Sequence, residues 1–314
     1  MPYFLAIDAG GTKTECVLAN ESLEIARIRT GSIKRMRVEA EVARASLETA
    51  LRQLASTAGI GLDAITATCV GTSGISVPLV ADWIRDTIGS LVGGALILCG
   101  DEEIALDAAF HGGRGVLVIA GTGSNVGGRA RDGRLTHAGG WGPALADEGS
   151  GYWIGHQALR SVFQAINARR PTLLTERILE QWGLSDFHQL VAIANALPGP
   201  DLPALTPTVV ACAFEGDAVA LDVLRRAGEG LAVLALQVIE HLREMEGAAG
   251  FELPHIAFTG SVLQNVAFVR HAMMRALHQA HPALIILPEA IDTVEGALWQ
   301  ARRSVLTSRQ TPPS

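Results

Sequence analysis

The chain contains one short structural plan twice, and this repeat limits its fold more than any other feature. An apolar run, a glycine-rich turn and a second extended run occupy Tyr3–Asn20, and the same order returns in Gly115–Asp132. Continuous apolar runs of this length are typical of strands covered on both faces. Two similar strand–turn–strand units predict a duplicated fold, with a boundary near His111–Gly115.

Strands and helices alternate along the rest of the chain. Four further apolar runs have the length of strands, and they read ITATCVGTSG, ALILCGDE, HIAFTGS and ALIILPE. Apolar residues at helical spacing predict helices in Val38–Gly59, Ser150–Arg170 and Thr293–Arg303, and one or two buried helices in Ala218–Met245. This alternation predicts an α/β protein. The terminal segment SRQTPPS is expected to be disordered.

Composition narrows the class of protein and its partners. The 314 residues are 48% hydrophobic, which is enough for a large core in one or two domains. The net charge of -7 comes with scattered acids and bases, so we expect no nucleic-acid partner. No apolar stretch predicts a signal peptide or a membrane span, and we expect a cytoplasmic protein without a membrane partner. Four separated cysteines predict buried reduced thiols and no metal motif.

The two glycine-rich turns are candidate phosphate sites. Exposed N–H groups in such turns can form a nest for an anion, and hydroxyls can add donors. The predicted ATP ligands are Gly10, Gly11, Thr12, Lys13 and Thr14 in the first turn, and Gly121, Thr122, Gly123 and Ser124 in the second. Asp8 cannot favourably touch a phosphate itself, so it predicts Mg²⁺ bound through water. The alternative is a pair of ordinary β-hairpin turns; neither turn matches a P-loop or a dinucleotide fingerprint.

Asp101 follows an apparently buried strand in ALILCGDEE, where a carboxylate can act as a general base. Asp101, Glu102 and Glu103 have an alternative interpretation as acids that complement the dipole at the start of a helix. We prefer this alternative for Glu102 and Glu103 only.

The ordered motifs IDAGGTKTE, IAGTGSN and GGWGPALADEGSGYWIG, with Asp101 between the first two, resemble those of the N-acetylglucosamine kinases. The resemblance covers nearly the whole chain. It places the sequence in the broader group that includes the BadF/BadG/BcrA/BcrD ATPases, within the actin, hexokinase and sugar-kinase superfamily. It implies duplicated ribonuclease H-like domains around a central cleft, with lobes at 1–112 and 113–289. Helix 290–305 would pack back on the first lobe.

The resemblance also implies roles for individual residues. The turn at Gly260 and Ser261 would border the adenosine, before a helix that starts near Asn265. The implied sugar ligands are Asp101, Asn125, Gly140, Trp141 and Asp147. By the same resemblance Asp101 is the catalytic base, because a kinase that acts on a hydroxyl needs a carboxylate within reach of it. Asp147, Glu148 or Ser150 is also suited to cap the helix that follows. The implied reaction is ATP- and Mg²⁺-dependent phosphorylation of an amino sugar at O6, most simply N-acetylglucosamine.

One loop departs from this family. The N-acetylglucosamine kinases usually carry an Asn after the third strand, whereas this chain reads TGSIKRMRVEA, with Lys34, Arg35 and Arg37. One interpretation is a solvated basic loop without a ligand, and the other is a binding site for an acceptor sugar that carries negative charge.

Other functions stay open at this point. One is an ATPase activator of an iron–sulfur reductase, which the separated cysteines disfavour. Another is a non-catalytic protein that binds ATP or sugar. The zinc-containing sugar kinases need a Cys-rich motif that this sequence lacks. The sequence leaves a homodimer open, and it does not fix the sugar.

Overall fold

The computed structural model describes residues 1–35 and 38–310, the last four of these by their backbone only. Arg37 of the basic loop and residues 311–314 of the terminal segment lie outside the described residues. The described chain divides into two compact units. The first unit comprises residues 1–113 and the segment from Ile291 onward, and the second comprises Arg114–Ala290. Interpreting these units as ATPase lobes stays a prediction at this point.

The nine strands and eleven α-helices of the described chain follow one another in a mixed α/β order, with short 3₁₀ helices at Leu62–Ala64 and Pro203–Leu205. The first unit contains β1 Tyr3–Ala9, β2 Lys13–Ala19, β3 Glu24–Gly31, α1 Ala40–Ala58, β4 Ile65–Thr72, α2 Pro78–Gly89, β5 Ala95–Cys99 and α3 Asp101–Phe110. The second unit contains β6 Gly115–Ala120, β7 Ser124–Arg129, β8 Leu135–Gly139, α4 Gly151–Asn167, α5 Leu173–Gln181, α6 Phe187–Ala194, α7 Thr206–Phe214, α8 Ala218–Glu246, β9 Ile256–Thr259, α9 Ser261–Asn265 and α10 Ala267–Ala280. The final helix, α11 Thr293–Gln310, belongs to the first unit.

The two sheets share one topology, as the sequence repeat predicts. The first sheet has the order β3-β2-β1-β4-β5, and the second has the order β8-β7-β6-β9. In each, a central strand pairs antiparallel with the next strand and parallel with a strand from later in the chain. The second sheet therefore repeats the first four strands of the first sheet.

The sequence of strand β1 is continuously apolar, and the packing of its two faces explains why. Leu5 and Ile7 pack into one cluster with buried residues of α1 and α2, whereas Phe4 and Ala6 pack into another with α11. Both faces of β1 are thus covered. The same pattern misled the prediction for β5, whose residues are mostly half-exposed because it lies at the sheet edge.

Helix α11 packs on α3, β1 and β4 within the first unit. Gly296 makes this crossing close, since an added Cβ would lie 1.7 Å from the carbonyl oxygen of Ile104 on α3. The amide of Gln300 donates to the Asp107 carboxylate, 2.6 Å away, across the same contact. The helix continues to Gln310, so the predicted disorder from Ser308 was wrong for the first three residues of that segment.

Helix α8 organises the second unit. It is a single helix of 29 residues that packs against α4, α7 and α10. Gly228 allows α10 to approach, since an added Cβ would lie 2.3 Å from the carbonyl oxygen of Val269. The predicted strand ALIILPE is only an isolated bridge between Ile286 and Ile256, because this segment makes no longer ladder.

Two local predictions are resolved at helix starts. Ser150 caps α4, and its hydroxyl accepts a bond from the N–H of Trp153, so neither Asp147 nor Glu148 is the cap. The helix predicted near Asn265 is α10, which begins at Ala267, and the short helix α9 at Ser261–Asn265 precedes it. All four cysteines are free and buried. Among the described residues, no helix is both long and apolar enough to cross a membrane.

Candidate active site

The residues predicted to form the site fall into two groups, one in each unit. Asp8, the turn from Gly10 to Thr14, and Asp101 belong to the first unit. The second unit holds the others, which are Gly121, Thr122, Gly123, Ser124, Asn125, Gly140, Trp141, Asp147, Gly260 and Ser261.

The turn between β1 and β2 needs glycine at position 10 for a close approach. A Cβ on Gly10 would lie 2.8 Å from the carbonyl oxygen of Lys13, although its φ is outside the left-handed region. The hydroxyl of Ser32 donates to the carbonyl oxygen of Gly10 at 2.9 Å, which holds the turn from the side of β3. The side chains of Thr12 and Lys13 are exposed and accessible to a ligand.

Thr14 does not share this exposure. Its side chain is fully buried, and its hydroxyl has no hydrogen-bond partner among the described residues. Its Cα pairs with that of Ala9, which belongs to the cluster against α1 and α2. A direct role in binding phosphate stays a prediction for Thr14, and its position in the sheet does not favour it.

Asp8 is a half-buried acid among other acids. The hydroxyl of Thr293 on α11 donates to its carboxylate. Burial raises the pKa of Asp8, and the charges of Asp101, Glu15 and Asp292 raise it further. A carboxylate whose pKa is raised by neighbouring acids is suited to a site for a cation.

Asp8 also fits the way in which proteins hold Mg²⁺. In the described chain, no group of three or more His, Cys, Asp or Glu residues is arranged to hold a metal. A magnesium ion often keeps several waters and takes one or two carboxylates plus substrate phosphates. The single carboxylate beside the Gly10 turn is compatible with that mode.

Asp101 lies at the same end of the first sheet as Asp8. Strands β1, β3, β4 and β5 run in one direction, so their carboxyl ends all lie at this end of the sheet. Asp101 is the first residue of α3 and follows β5 after Gly100. Its carboxylate accepts a bond from the N–H of Glu102 at 3.1 Å and is half-exposed. It therefore occupies a helix start and remains accessible, so the two interpretations of Asp101 are compatible.

In the second unit, the start of α4 holds the turn at Gly121–Ser124. The N–H of Gly151 donates to the carbonyl oxygen of Gly121 at 2.8 Å, and that of Tyr152 donates to Thr122 at 3.2 Å. The N–H of Gly121 in turn donates to the carbonyl oxygen of Gly123 at 2.9 Å. These bonds occupy backbone oxygens of the turn and fix its shape.

Ser124 and Asp147 both form hydrogen bonds that hold this turn. The Ser124 hydroxyl donates to the carbonyl oxygen of Glu148 at 2.9 Å. Asp147 is 5% exposed and has a φ of 119°, an uncommon backbone conformation for a residue other than glycine. Burial raises the pKa of its carboxyl, while bonds from the N–H groups of Ser124 and Gly142 lower it. The structure thus gives both residues a role in shaping the turn.

The other predicted sugar ligands lie on or directly after two neighbouring strands, with Asn125 on β7 and with Gly140 and Trp141 after the end of β8. Asn125 on β7 faces Gly139 on β8, and a Cβ on Gly140 would lie 3.0 Å from the Asn125 Oδ1 atom. Trp141 is 66% exposed, and its ring centroid lies 5.6 Å from that of His137. An exposed aromatic ring is a suitable surface for a sugar ring.

A cavity of about 510 Å³ in the second unit begins at the Gly121–Thr122 turn. Ser261 also lines it, and the N-terminus of α4 contributes Gly151. Gly260 is required beside it, since its φ is 96° and a Cβ would lie 2.3 Å from the carbonyl oxygen of Ala120.

The apolar wall of this cavity was missed from the sequence. It is formed by Pro203, Pro207, Val210, Phe214, Val262 and Val266. Most of these residues belong to α7 and α9, while Pro203 lies in a 3₁₀ turn before α7 and Val266 follows α9. Apolar residues in such segments look like ordinary core. The volume and the apolar lining suit a small flat ligand.

Comparison with known proteins defines the class. The model of the BadF/BadG/BcrA/BcrD ATPase family matches residues 5–299. An N-acetylmuramic acid/N-acetylglucosamine kinase of Clostridium acetobutylicum is 28% identical, over 96% of this chain and 99% of that protein. An N-acetyl-D-glucosamine kinase of Dictyostelium discoideum is 27% identical, over 96% and 98%.

A solved structure agrees with this assignment. It is that of a Chromobacterium violaceum protein to which N-acetylglucosamine kinase activity is provisionally assigned. The TM-score is 0.72 at 25% identity, over 95% of this chain and 98% of that one. The two-unit fold is thus that of the actin-like sugar kinases. This chain belongs to the BadF/BadG/BcrA/BcrD ATPase family.

Proposed function

We propose that the protein is an ATP-dependent kinase of an amino sugar, most simply N-acetylglucosamine, and that it phosphorylates O6. One observation carries the proposal: the accessible carboxylate of Asp101 lies at the same carboxyl end of the strands as Asp8 and the Gly10 turn. A hydroxyl acceptor needs a base at the place where a phosphate turn and a metal carboxylate meet. The names of the two relatives support the choice of substrate class.

The nucleotide base would bind in the cavity that Phe214 and Val210 line, and the Gly121–Thr122 turn would contact the phosphates. The exposed Thr12 and Lys13 would also contact phosphates. Gly11, Gly123, Ser261 and the N–H groups of both turns complete the proposed ATP ligands. Mg²⁺ held through water by Asp8 would neutralise charge on the phosphate oxygens.

In the proposed reaction, the sugar hydroxyl oxygen forms a bond to the γ-phosphorus of ATP as the bond from that phosphorus to the β,γ-bridging oxygen breaks. ADP leaves with that oxygen, and the hydroxyl proton passes to the carboxylate of Asp101. Asn125, Gly140, Trp141 and Asp147 would position the sugar. Aligning the hydroxyl lowers the barrier because it removes the entropic cost of orientation during reaction.

The activator of an iron–sulfur reductase has less support. Such a protein needs accessible cysteines to hold a cluster, and Cys16, Cys69, Cys99 and Cys212 are all buried. Burial also raises the pKa of the Cys16 thiol to about 12, which disfavours the thiolate that binds metal.

A panel of sugars tests the proposal. ADP release is measured with N-acetylglucosamine, glucosamine, N-acetylmannosamine and glucose, and the product is mapped by ³¹P and ¹H NMR. We expect one sugar phosphate per ADP, with the phosphate on O6 of an amino sugar. ADP release that does not depend on any sugar would contradict the proposal.

A further inference from the structure

We propose that a second cavity of the second unit binds a small organic anion that has an apolar body and one acidic group. This cavity is called here the α4–α6 cavity, and its volume is about 860 Å³. Helix α4 forms one wall with residues between 152 and 164, and the other walls are the second half of α6 and residues 199–202. All of these residues belong to the second unit. The proposal goes beyond the proposed kinase function and does not depend on it.

The wall of the α4–α6 cavity is mainly apolar. Leu159 and Leu202 are buried in it, and the half-buried rings of Tyr152 and Phe163 pack against the same core cluster. Val191 on α6 is 42% exposed, so part of this apolar surface is accessible to a ligand. A cavity of this size with an aliphatic and aromatic lining is typical of sites for small molecules.

Arg160 supplies a positive charge at the α4–α6 cavity. It follows His156 by one helical turn of α4, and its side chain is exposed. Partial burial lowers the pKa of His156, and the charge of Arg160 lowers this pKa further. His156 is therefore mainly neutral at pH 7, and Arg160 carries the charge. No Asp or Glu is among the described residues that line the cavity, because Asp201 only follows the lining residue Pro200.

Other arginines of the second unit have acidic partners. Arg226 contacts α4 through the side chain of Gln157 at 3.4 Å, and it pairs with Asp222 at 2.8 Å. Arg177 on α5 pairs with Glu215 at 3.3 Å. In the part of the chain that the structure describes, no acid forms an ion pair with Arg160. Its guanidinium is thus available to a ligand, and it can bind an oxyanion through two parallel N–H bonds.

These two features of the α4–α6 cavity favour one class of ligand. The apolar wall gains free energy from rings or a hydrocarbon chain that leave water. The single exposed cation at the wall matches a single acidic group. A ligand with several charges, such as a nucleoside triphosphate, would place unpaired charges against the apolar wall.

The α4–α6 cavity is distinct from the cavity at the Gly121–Thr122 turn. Gly151 and Pro203 line the cavity at the turn, whereas their neighbours Tyr152 and Leu202 line the α4–α6 cavity. Helix α4 and the 3₁₀ turn are in close contact here, since a Cβ on Gly155 would lie 2.0 Å from the carbonyl oxygen of Leu202. No described residue lines both cavities, so a ligand in one need not displace a ligand from the other.

The test uses two fluorescent probes that differ by one acidic group, with the full-length protein in the absence of sugar. The anionic probe is 8-anilinonaphthalene-1-sulfonate, and N-phenyl-1-naphthylamine has the same rings without the sulfonate. Each Kd is measured from the rise in fluorescence when the probe enters an apolar site. The variants are Arg160→Gln and Ala194→Trp. Arg275→Gln is the matched control, because Arg275 is an exposed arginine of α10 that does not line the cavity.

Arg160→Gln should raise the Kd of the anionic probe by about 5- to 10-fold, because a charge-assisted hydrogen bond is lost. The Kd of the neutral probe should change by less than about 2-fold in this variant. Ala194→Trp should raise the Kd of both probes by at least about 10-fold, since the indole fills space between α6 and α4. Arg275→Gln should change neither Kd. A saturating non-hydrolysable ATP analogue with Mg²⁺ should leave the Kd of the anionic probe within about 2-fold of its value without nucleotide.

Three results would overturn the proposal. An equal change for both probes in Arg160→Gln would show that this arginine does not recognise the acidic group. Displacement of the anionic probe by the ATP analogue would place the probe in the cavity at the Gly121–Thr122 turn. Unchanged binding of both probes to Ala194→Trp would place them elsewhere on the protein. A failure to phosphorylate any sugar would refute the proposed function and leave this proposal intact.

Discussion

The two glycine-rich turns have similar sequences and the same place in their sheets, yet the structure supports them differently. The turn of the second unit is held by N–H groups at the start of α4 and lies beside an apolar cavity. The turn of the first unit is held instead by the hydroxyl of Ser32, which donates to the carbonyl oxygen of Gly10. It lies beside Asp8, whose carboxylate accepts a bond from Thr293 on α11.

This difference indicates that the two copies of a duplicated turn are suited to different parts of the proposed site. The second turn has the surroundings of a nucleoside site, because a cavity with an apolar wall suits a flat base. The first turn has surroundings suited to a metal ion and a reacting phosphate, because Asp8 beside it has other acids nearby, among them Asp101. The proposed kinase needs both.

The largest effect is expected for Asp101, the proposed catalytic base, which belongs to the first unit. Asp101→Asn should lower kcat by about 10²- to 10⁴-fold, because it removes the base and keeps the shape of the side chain. ATP affinity, measured by calorimetry, should stay within a factor of three of wild type. Glu102→Gln is the control in the next position, and near-normal turnover of Asp101→Asn would mean that another group takes the proton.

The packing of the second turn can be tested through Gly260. Gly260→Ala should lower the free energy of unfolding by about 3 kcal/mol, because the new Cβ would meet the Ala120 carbonyl in a strained backbone. Gly133→Ala is the matched control, with a similar positive φ and open space around it, and should cost about 1 kcal/mol. Equal losses in urea denaturation would show that the close approach does not matter.

The apolar wall gives the second turn its proposed nucleoside role. Phe214→Ala should raise KM for ATP by about 5- to 10-fold and leave kcat unchanged, since it removes a surface for the base. Phe214 is 73% exposed, so the fold should tolerate the change. Phe187→Ala removes a half-exposed ring from α6 and serves as the control. The same KM in both variants would place the base elsewhere.

The smallest effect is expected at Thr14 in the first turn. Thr14→Val removes a buried hydroxyl that has no partner among the described residues, so stability should stay level or rise by about 1 kcal/mol. KM for ATP should not change. Thr68→Val removes a second hydroxyl of the same kind and is the control. A rise in KM with Thr14→Val alone would restore Thr14 as a phosphate ligand.

The sequence predicted the elements whose signals are local. Gly59 ends α1 in the left-handed conformation, and Ser150 caps α4, as glycine and serine at such positions indicate. The repeat of strand, turn and strand correctly indicated two sheets of one topology. The family was also recognised from the ordered motifs.

The remaining features depend on tertiary contacts that no short pattern encodes. The apolar run of β5 cannot reveal an edge position, and an isolated bridge at Ile286 reads as a strand. Ser124 looked like a free donor, but its hydroxyl is bound to Glu148, which is distant in sequence. No local pattern marks Phe214, which lines a cavity because the fold brings α7 beside α9 and the start of α4.

The most direct test is whether both turns bind one nucleotide. Backbone amide shifts of ¹⁵N-labelled protein are recorded during titration with a non-hydrolysable ATP analogue and Mg²⁺. We predict that Gly11, Thr12 and Lys13 shift together with Thr122 and Gly123, and that both groups follow one saturation curve with the same Kd. Shifts in one turn alone, or two curves with different Kd values, would contradict the account.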